Sequence, residues 1–146
     1  MFKTTWPKKE NIKREWWIVD ASKYPLGRMA SKIVSLLTGK YKPYYEPSVE
    51  MGDHVIVINA SKVKVTGEKK EKKIYYWHTP YPGGLKQMKM SEMIKMNPEK
   101  IITLAVKRML PKNKLRDKWL SRLKVYPGEN HPYTSQKPKI VKFEND

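Results

Sequence analysis

Hydrophobic residues along the chain follow two spacings, one typical of strands and one typical of helices. Residues 16–19 (WWIV) are aromatic and β-branched and predict a buried strand that ends at Asp20. The unbroken β-branched run at residues 54–59 (HVIVIN) predicts an interior strand. Between them, apolar residues recur at helical spacing and Gly39 follows where a left-handed cap is common: Leu26, Met29, Ala30, Ile33, Val34 and Leu37. Strand, helix and strand form a βαβ unit with an expected right-handed crossover.

The rest of the pattern predicts shorter strands followed by helices. Residues 63–66 and 74–77 read as strands around a charged connection. Asn97-Pro98-Glu99 is a helix start, since Asn can cap and Pro is tolerated in the first turn. Pro111 ends that helix, and Asn113 is a candidate cap for a last helix around Trp119. We therefore predict an α/β domain with helices on a small, mainly parallel sheet.

Positive charge dominates the composition. The 146 residues include 31 Lys and Arg against 14 Asp and Glu, a formal net charge of +17. A polyanion relieves self-repulsion on this scale, and nucleic acid is the usual one. Hydrophobic residues make up 39% of the chain, with five Trp and nine Tyr, which suffices for a packed core. The composition thus predicts a folded nucleic-acid-binding domain rather than a basic tail.

Other classes of protein are disfavoured. The chain has no cysteine, so disulfides, thiolate catalysis and cysteine zinc sites are excluded. The longest aliphatic run, residues 55–58, is far shorter than the roughly 20 residues of a membrane helix. The first 17 residues lack the apolar stretch of a secretion signal, so we expect a cytoplasmic protein. An acid–base site made of Asp53, His54 and His78 is an alternative, but no nucleophile, metal set or phosphate-loop motif accompanies it.

Basic residues are densest late in the chain. Residues 107–124 contain eight cations and one acid, Asp117. In the stretch AVKRMLPKNK (105–114), we expect Ala105, Val106 and Met109 to face the core. Four cations then gather at an exposed corner, where they can bridge phosphates: Lys107, Arg108, Lys112 and Lys114. The alternative is a solvated helix end whose cations only complement the helix dipole.

Three further motifs have both an RNA-binding and a structural interpretation. In HTPYPGGLK (78–86), the backbone at Gly83-Gly84 can approach a partner and His78 or Tyr81 can stack on a base, or the segment is an ordinary loop. GEKKEKK (67–73) reads as a solvated hairpin whose lysines remain candidate phosphate contacts. In GKYKPYY (39–45), the tyrosines can stack on bases while the lysines neutralise the RNA backbone, or the tyrosines pack at the edge of the core.

The last twenty residues, 127–146, have three Pro and little periodicity. They are either a disordered tail or an extended arm that orders on a partner. We interpret residues 1–146 as a single RNA-binding domain, with an N-terminal extension at 1–14 and an extended C-terminal arm at 127–146.

A series of long segments carries a resemblance to a known family. Between residues 16 and 138 the chain contains, in order, WWIVDAS, LGRMASKIVSLLTGKYKPYY, MGDHVIVINASKVKVTGEK, KIYYWHTPYPGGLK, AVKRMLPKNKL, RLKVYPGENHPY and QKP. These segments closely resemble the ribosomal protein L13 family of the bacterial large subunit. The resemblance implies a three-layer α/β/α domain without catalytic activity, cofactor, metal or small-molecule substrate. It also implies binding to large-subunit ribosomal RNA, contact with neighbouring large-subunit proteins, no membrane partner, and a role early in subunit assembly.

The resemblance and the residue patterns together predict an RNA-binding set. Its members are Lys40, Lys42, Lys69, Lys70, His78, Tyr81, Gly83, Gly84, Lys86, Lys107, Arg108, Lys112, Asn113, Lys114, Arg116, Arg122 and Lys124. Two positions depart from the family. It usually has Gly where this chain has Arg108, which adds a cation at the corner, and Leu-Gly-Arg where this chain has Leu115-Arg116-Asp117, so no contact is carried over for Asp117. The alternative function is a free-standing nucleic-acid-binding regulator, although neither a helix-turn-helix nor the aromatic sheet of the RNA-recognition domain is evident.

Overall fold

The computed structural model describes residues 6–143. Its helices and strands, in chain order, are β1 (Trp16–Asp20), α1 (Leu26–Thr38), β2 (His54–Ile58), α2 (Lys69–Lys72), β3 (Ile74–His78), β4 (Leu85–Lys89), α3 (Met90–Met96), α4 (Pro98–Met109), α5 (Arg116–Ser121), β5 (Leu123–Val125) and β6 (Lys139–Ile140).

Within these residues, β5, β2, β1 and β6 lie side by side in that order as a parallel sheet. Trp17 aligns with Val55 and Val19 with Val57. Val55, Ile56 and Val57 are fully buried, as their unbroken apolar run predicts for an interior strand. Helices flank the sheet, so the predicted α/β class and both predicted strands of the βαβ unit are confirmed.

The helix α1 also matches its prediction. Met29, Ala30, Ile33 and Leu37 are fully buried on one face. The helix ends at Gly39, which has a φ of 77° and donates its N–H to the carbonyl of Leu36. A left-handed residue at this position closes the helix, and glycine adopts that conformation without a Cβ penalty.

The segment between β2 and β3 differs from its prediction. Residues 63–66 are not a strand, because the N–H of Leu26 bonds to the carbonyl of Lys64 (2.9 Å) and the segment joins the start of α1 instead of a ladder. The charged run forms the helical turn α2 rather than a hairpin. The hairpin lies later, where β3 and β4 pair antiparallel as a separate two-stranded sheet.

The helix α4 begins at Pro98, as predicted, but its end differs from the prediction. Asn97 makes no side-chain cap hydrogen bond. Met109, expected to face inward, is 45% exposed, whereas Leu110 is 3% exposed. Leu110 leaves the helix in an extended conformation (φ −71°, ψ 145°), and this change of direction lets it fill the core position expected for Met109.

The C-terminal segment is packed on the domain through its last described residues. β6 pairs with β1, and Val141, 5% exposed, donates its N–H to the carbonyl of Ile18 (3.0 Å). Phe143 lies against Tyr24, with ring centroids 3.8 Å apart. The predicted arm therefore ends in an edge strand; its residues 144–146, and residues 1–5 of the predicted N-terminal extension, lie outside the described residues.

Candidate nucleic-acid interface

The end of α4 and the loop after it present the predicted cationic corner. Lys107, Arg108, Lys112 and Lys114 are all exposed. The loop is held from both ends, because Leu110 is buried before it and Trp119, 2% exposed, is buried after it. Asn113 shapes its middle, since its side-chain oxygen accepts the N–H of Leu115 (3.1 Å). Asn113 thus stabilises a turn ahead of α5 and does not cap the helix itself.

No described carboxylate forms an ion pair with the four cations of this corner. Asp117, in the first turn of α5, is exposed. The cations also lie beside the C-terminal end of α4, where the helix dipole favours positive charge. The corner is therefore a positive surface on an anchored stretch of backbone, and none of its cations pairs with a described carboxylate.

The structure brings two separately predicted patches together around Tyr75. This residue is 4% exposed, and the Lys73 ammonium lies 5.1 Å from its ring centroid. The Arg108 guanidinium carbon is 5.6 Å from the same centroid. Lys69, Lys73 and Arg108 line one cavity of about 240 Å³. Burial lowers the pKa of Lys73, and the positive charges of Arg108 and Lys69 lower it further.

Sequence reasoning missed Lys73, because it stands at the end of a run of alternating charge that looked solvated. A signal was present: Lys73 precedes Tyr75 by two residues, and side chains two apart share a face of a strand. Lys69, Lys70 and Lys73 are all exposed, but Lys70 does not line the cavity.

The hairpin of β3 and β4 carries the second predicted loop. His78 pairs with Leu85, and the turn is closed by hydrogen bonds from Thr79 N–H to the Gly84 carbonyl (2.9 Å) and from Gly84 N–H to the Tyr81 carbonyl (3.0 Å). Gly83 has a φ of 71°, and a Cβ at Gly84 would collide with Thr79. The turn itself therefore requires both glycines, independently of any partner.

The side chains of this hairpin are available to a partner. Tyr81 is 74% exposed, and His78 and Lys86 are also exposed. The neighbouring Trp77 is 37% exposed and has the Lys100 ammonium 5.5 Å from its ring. Rings and cations next to one another are the combination that stacks bases while neutralising backbone.

Lys42 requires a correction, because the structure buries it. The residue is 7% exposed, and its ammonium donates to the Asp53 carboxylate (2.7 Å) and to the carbonyls of Met51 (2.8 Å) and Lys13 (2.9 Å). An ammonium has three N–H donors, and here all three are used by acceptors inside the protein, so none is available to a partner. Lys42 is a structural cation, and we exclude it from the candidate interface.

Tyr41 joins the Asp53 network through its hydroxyl, although the residue is 45% exposed. Its hydroxyl donates to Asp53, and its ring meets Trp17 edge-on at 6.2 Å. Burial and the Asp53 carboxylate raise the pKa of Tyr41. The motif GKYKPYY therefore follows the packing interpretation at Lys42 and at the Tyr41 hydroxyl, while Lys40, Tyr44 and part of the Tyr41 ring lie at the surface.

The basic residues near α5 and β5 are less exposed than the corner. The guanidinium of Arg122 pairs with Glu50 (2.6 Å) and donates to the Gly52 carbonyl (3.1 Å). This internal pairing removes Arg122 from the cations that are free to contact a phosphate. Arg116 and Lys124 are half-buried.

The acid–base alternative is not assembled as one site. His54 stacks on Trp16 at 4.2 Å with an interplanar angle of 9°. Burial lowers the pKa of His54, and the charges of Arg122 and Arg14 lower it further. His78 belongs to the other sheet. Residues 6–143 contain no group of three or more His, Asp or Glu side chains placed to hold a metal ion.

No helix in the described part of the chain is long and apolar enough to cross a membrane.

Comparison with known proteins identifies the family. The family model described as Ribosomal protein L13 matches residues 14–132. The large ribosomal subunit protein uL13 of Aquifex aeolicus is 56% identical over 132 residues, covering 90% of this chain and 92% of the relative. The protein of that name from Thermotoga petrophila is 52% identical over 141 residues (97% and 95%), and that from Chloroflexus aggregans is 50% identical over 137 residues (94% and 96%). This chain belongs to the ribosomal protein L13 family.

Proposed function

We propose that this protein is a structural, non-enzymatic constituent of the large ribosomal subunit in the cytoplasm, and that it binds large-subunit ribosomal RNA. Family membership supports the ribosomal role. The RNA-binding role is supported by the chemistry of the surface, and the exposed corner of Lys107, Arg108, Lys112 and Lys114 is the observation that carries it.

Electrostatic positioning is the proposed mechanism. The cations project from the last turn of α4 and from the loop anchored by Leu110 and Trp119, so their backbone positions are held relative to one another and they select phosphates arranged at matching distances in folded RNA. A flexible basic tail would supply the same charge without that selection. The exposed residues His78, Tyr81 and Lys86 form a second contact region on a different element.

Two contact regions on one rigid domain suit a protein that holds separate RNA segments together. We accordingly propose that it acts early in assembly of the subunit, before neighbouring large-subunit proteins join and complete its set of partners. The assembly role depends on the protein binding the RNA in the absence of those neighbours.

A binding experiment tests the proposed function. Affinity of the purified protein is measured for large-subunit ribosomal RNA and for an equal mass of unrelated structured RNA, at 50 and 300 mM salt. The corner variant is Lys112→Ala with Lys114→Ala. Its matched control is Lys23→Ala with Lys95→Ala, which removes the same charge from exposed positions outside the corner.

The expected result is a preference for ribosomal RNA that persists at 300 mM salt and weakens in the corner variant but not in the control. Equal binding to both RNAs that disappears at high salt would mean that the charge is generic. Sedimentation of cell extract through a gradient decides the alternative function, because a free-standing regulator would travel apart from the large subunits.

A further inference from the structure

The cavity of about 240 Å³ lies where the first turn of α1, the helical turn α2 and the last turns of α4 meet. Its volume is below the range of about 300–1,000 Å³ typical of sites for drug-sized molecules. It therefore suits a small chemical group rather than a whole cofactor.

The polar side chains of its lining are cationic or neutral. Lys69, Lys73 and Arg108 contribute positive charge, Thr66 contributes a hydroxyl, and no Asp or Glu is among the lining residues. Of the two acids in the neighbouring charged run, Glu68 pairs with Lys72 on the exposed side of α2. Glu71 is also exposed and does not line the cavity.

All three cations are exposed, and two of them also contact an aromatic ring of the protein. The Lys73 ammonium and the Arg108 guanidinium both lie over the buried ring of Tyr75, at 5.1 and 5.6 Å from its centroid. Cation–π contacts of this kind hold a charge in place without neutralising it. Both groups therefore keep donors available for an anion.

The cavity floor is apolar. Met90 is 1% exposed and Leu26 is 9% exposed. Electrostatic interactions weaken less beside such surface than in open water. Burial lowers the pKa of Lys73, and the like charges of Arg108 and Lys69 lower it further by repulsion. An anion between them would remove that repulsion.

We propose that this cavity binds a single phosphate group, coordinated by Lys69, Lys73 and Arg108, and that the group is a backbone phosphate of the ribosomal RNA. The assignment to RNA rests on the proposed function, whereas the phosphate chemistry rests on the cavity alone. Arg108 donates through a planar fork suited to two phosphate oxygens, and the lysines act as point charges on the others.

The first test compares two double variants of the full chain. Lys73→Gln with Arg108→Gln alters the cavity, and Lys23→Gln with Lys95→Gln removes the same charge elsewhere. We expect the cavity variant to lose about tenfold or more in affinity for ribosomal RNA relative to the control, the loss associated with a charge-assisted hydrogen bond. Its plot of log affinity against log salt should be shallower by about one, the effect of one phosphate contact. Thermal unfolding of each variant confirms that it is folded.

The second test needs no RNA. Inorganic pyrophosphate is titrated into the wild-type protein at constant ionic strength while nuclear magnetic resonance follows the side chains of Lys73 and Arg108. Saturable shifts at these residues, absent at Lys23 and Lys95, together with a rise in the pKa of Lys73, are the expected result. Shifts of equal size at all four residues would overturn the cavity as an anion site.

The two tests distinguish a failure of the proposed function from a failure of the cavity proposal. If wild-type protein does not prefer ribosomal RNA, the proposed function fails, and the pyrophosphate titration still decides the phosphate chemistry. If ribosomal RNA binds the cavity variant and the control equally, the assignment to RNA is wrong. Saturable pyrophosphate binding in that case would identify a free phosphate compound as the ligand.

Discussion

At the scale of single residues, Asp53 organises the beginning of two neighbouring strands. Its carboxylate accepts hydrogen bonds from the Glu15 N–H (3.1 Å), the Trp17 indole (3.1 Å), the Lys42 ammonium (2.7 Å) and the Tyr41 hydroxyl. Asp53 is fully buried. A buried charge with a complete set of partners is tolerated, whereas the same charge without its partner is costly.

We therefore predict that Asp53→Asn lowers the free energy of unfolding by about 3–5 kcal/mol, because the Lys42 ammonium would stay buried without a counter-charge. Urea unfolding measures the change. The control is Glu15→Gln, which breaks the exposed pair with Lys139 and should cost less than about 1 kcal/mol. Equal costs for the two variants would show that burial adds nothing to the Asp53 pair.

His54 should make stability depend on pH. Its folded pKa is lowered from 6.5, first by burial and then by Arg122 and Arg14. The unfolded chain therefore binds a proton at higher pH than the folded chain, and the free energy of unfolding must fall as pH drops below about 6.5.

We expect His54→Phe, which retains an aromatic ring beside Trp16, to lose less stability between pH 7.5 and pH 5 than the wild-type protein. Urea unfolding at the two pH values provides the measurement. An identical pH dependence in both proteins would exclude His54 as a source of the effect.

At the scale of elements, the turn from α4 to α5 shows how a core residue fixes a functional loop. Leu110, 3% exposed, is the first residue past α4, and the adjacent Met109 is 45% exposed. Deleting a buried leucine side chain removes its transfer free energy and leaves a cavity. The Leu110 side chain thus couples the position of the corner to the core.

We predict that Leu110→Ala costs about 2–5 kcal/mol of stability. Met109→Ala should cost less than about 1 kcal/mol, since its side chain remains half in water. Urea unfolding measures the loss of stability in each variant. The comparison is between two adjacent side chains of similar size, one buried and one exposed. A larger loss in Met109→Ala would contradict the packing of this loop.

The sequence predicts best those helices and strands that have a long and regular pattern of buried apolar residues. α1 shows several turns of one apolar face, and β2 is an unbroken β-branched run. β4 (LKQMK) has four exposed residues out of five, and β6 has two residues, both exposed, so neither has a buried face for a pattern to reveal. Their pairing depends on a partner strand that is distant in sequence or on the hairpin turn.

The sequence predicts the positive charge of the candidate site, but it does not predict which of the cations form internal ion pairs. The sequence indicates the exposed corner because eight cations stand against one acid in residues 107–124. It does not indicate that Lys42 pairs with Asp53, eleven residues away, or that Arg122 pairs with Glu50. These ion pairs form because the tertiary fold brings separate segments of the chain together. The same is true of Lys69, Lys73 and Arg108, which line one cavity.

At the scale of the whole molecule, the net positive charge should make the stability of the free protein and its affinity for RNA respond to salt in opposite directions. The net charge of +17 repels itself in the free protein, and counter-ions screen that repulsion. The same counter-ions compete with the protein for RNA phosphates, because binding releases them from the RNA.

We predict that raising sodium chloride from 50 to 200 mM increases the thermal unfolding temperature of the free protein while decreasing its affinity for ribosomal RNA. If about six to ten phosphates are contacted, the affinity falls by about 10³–10⁵ over this range. Calorimetry and filter binding measure the two quantities on the same preparation. A salt-independent affinity would contradict electrostatic positioning. An unfolding temperature that falls with salt would mean that exposed ion pairs such as Lys139–Glu15, which salt screens, outweigh the surface repulsion. The two trends together would show that the charge destabilises the free protein and is compensated by RNA.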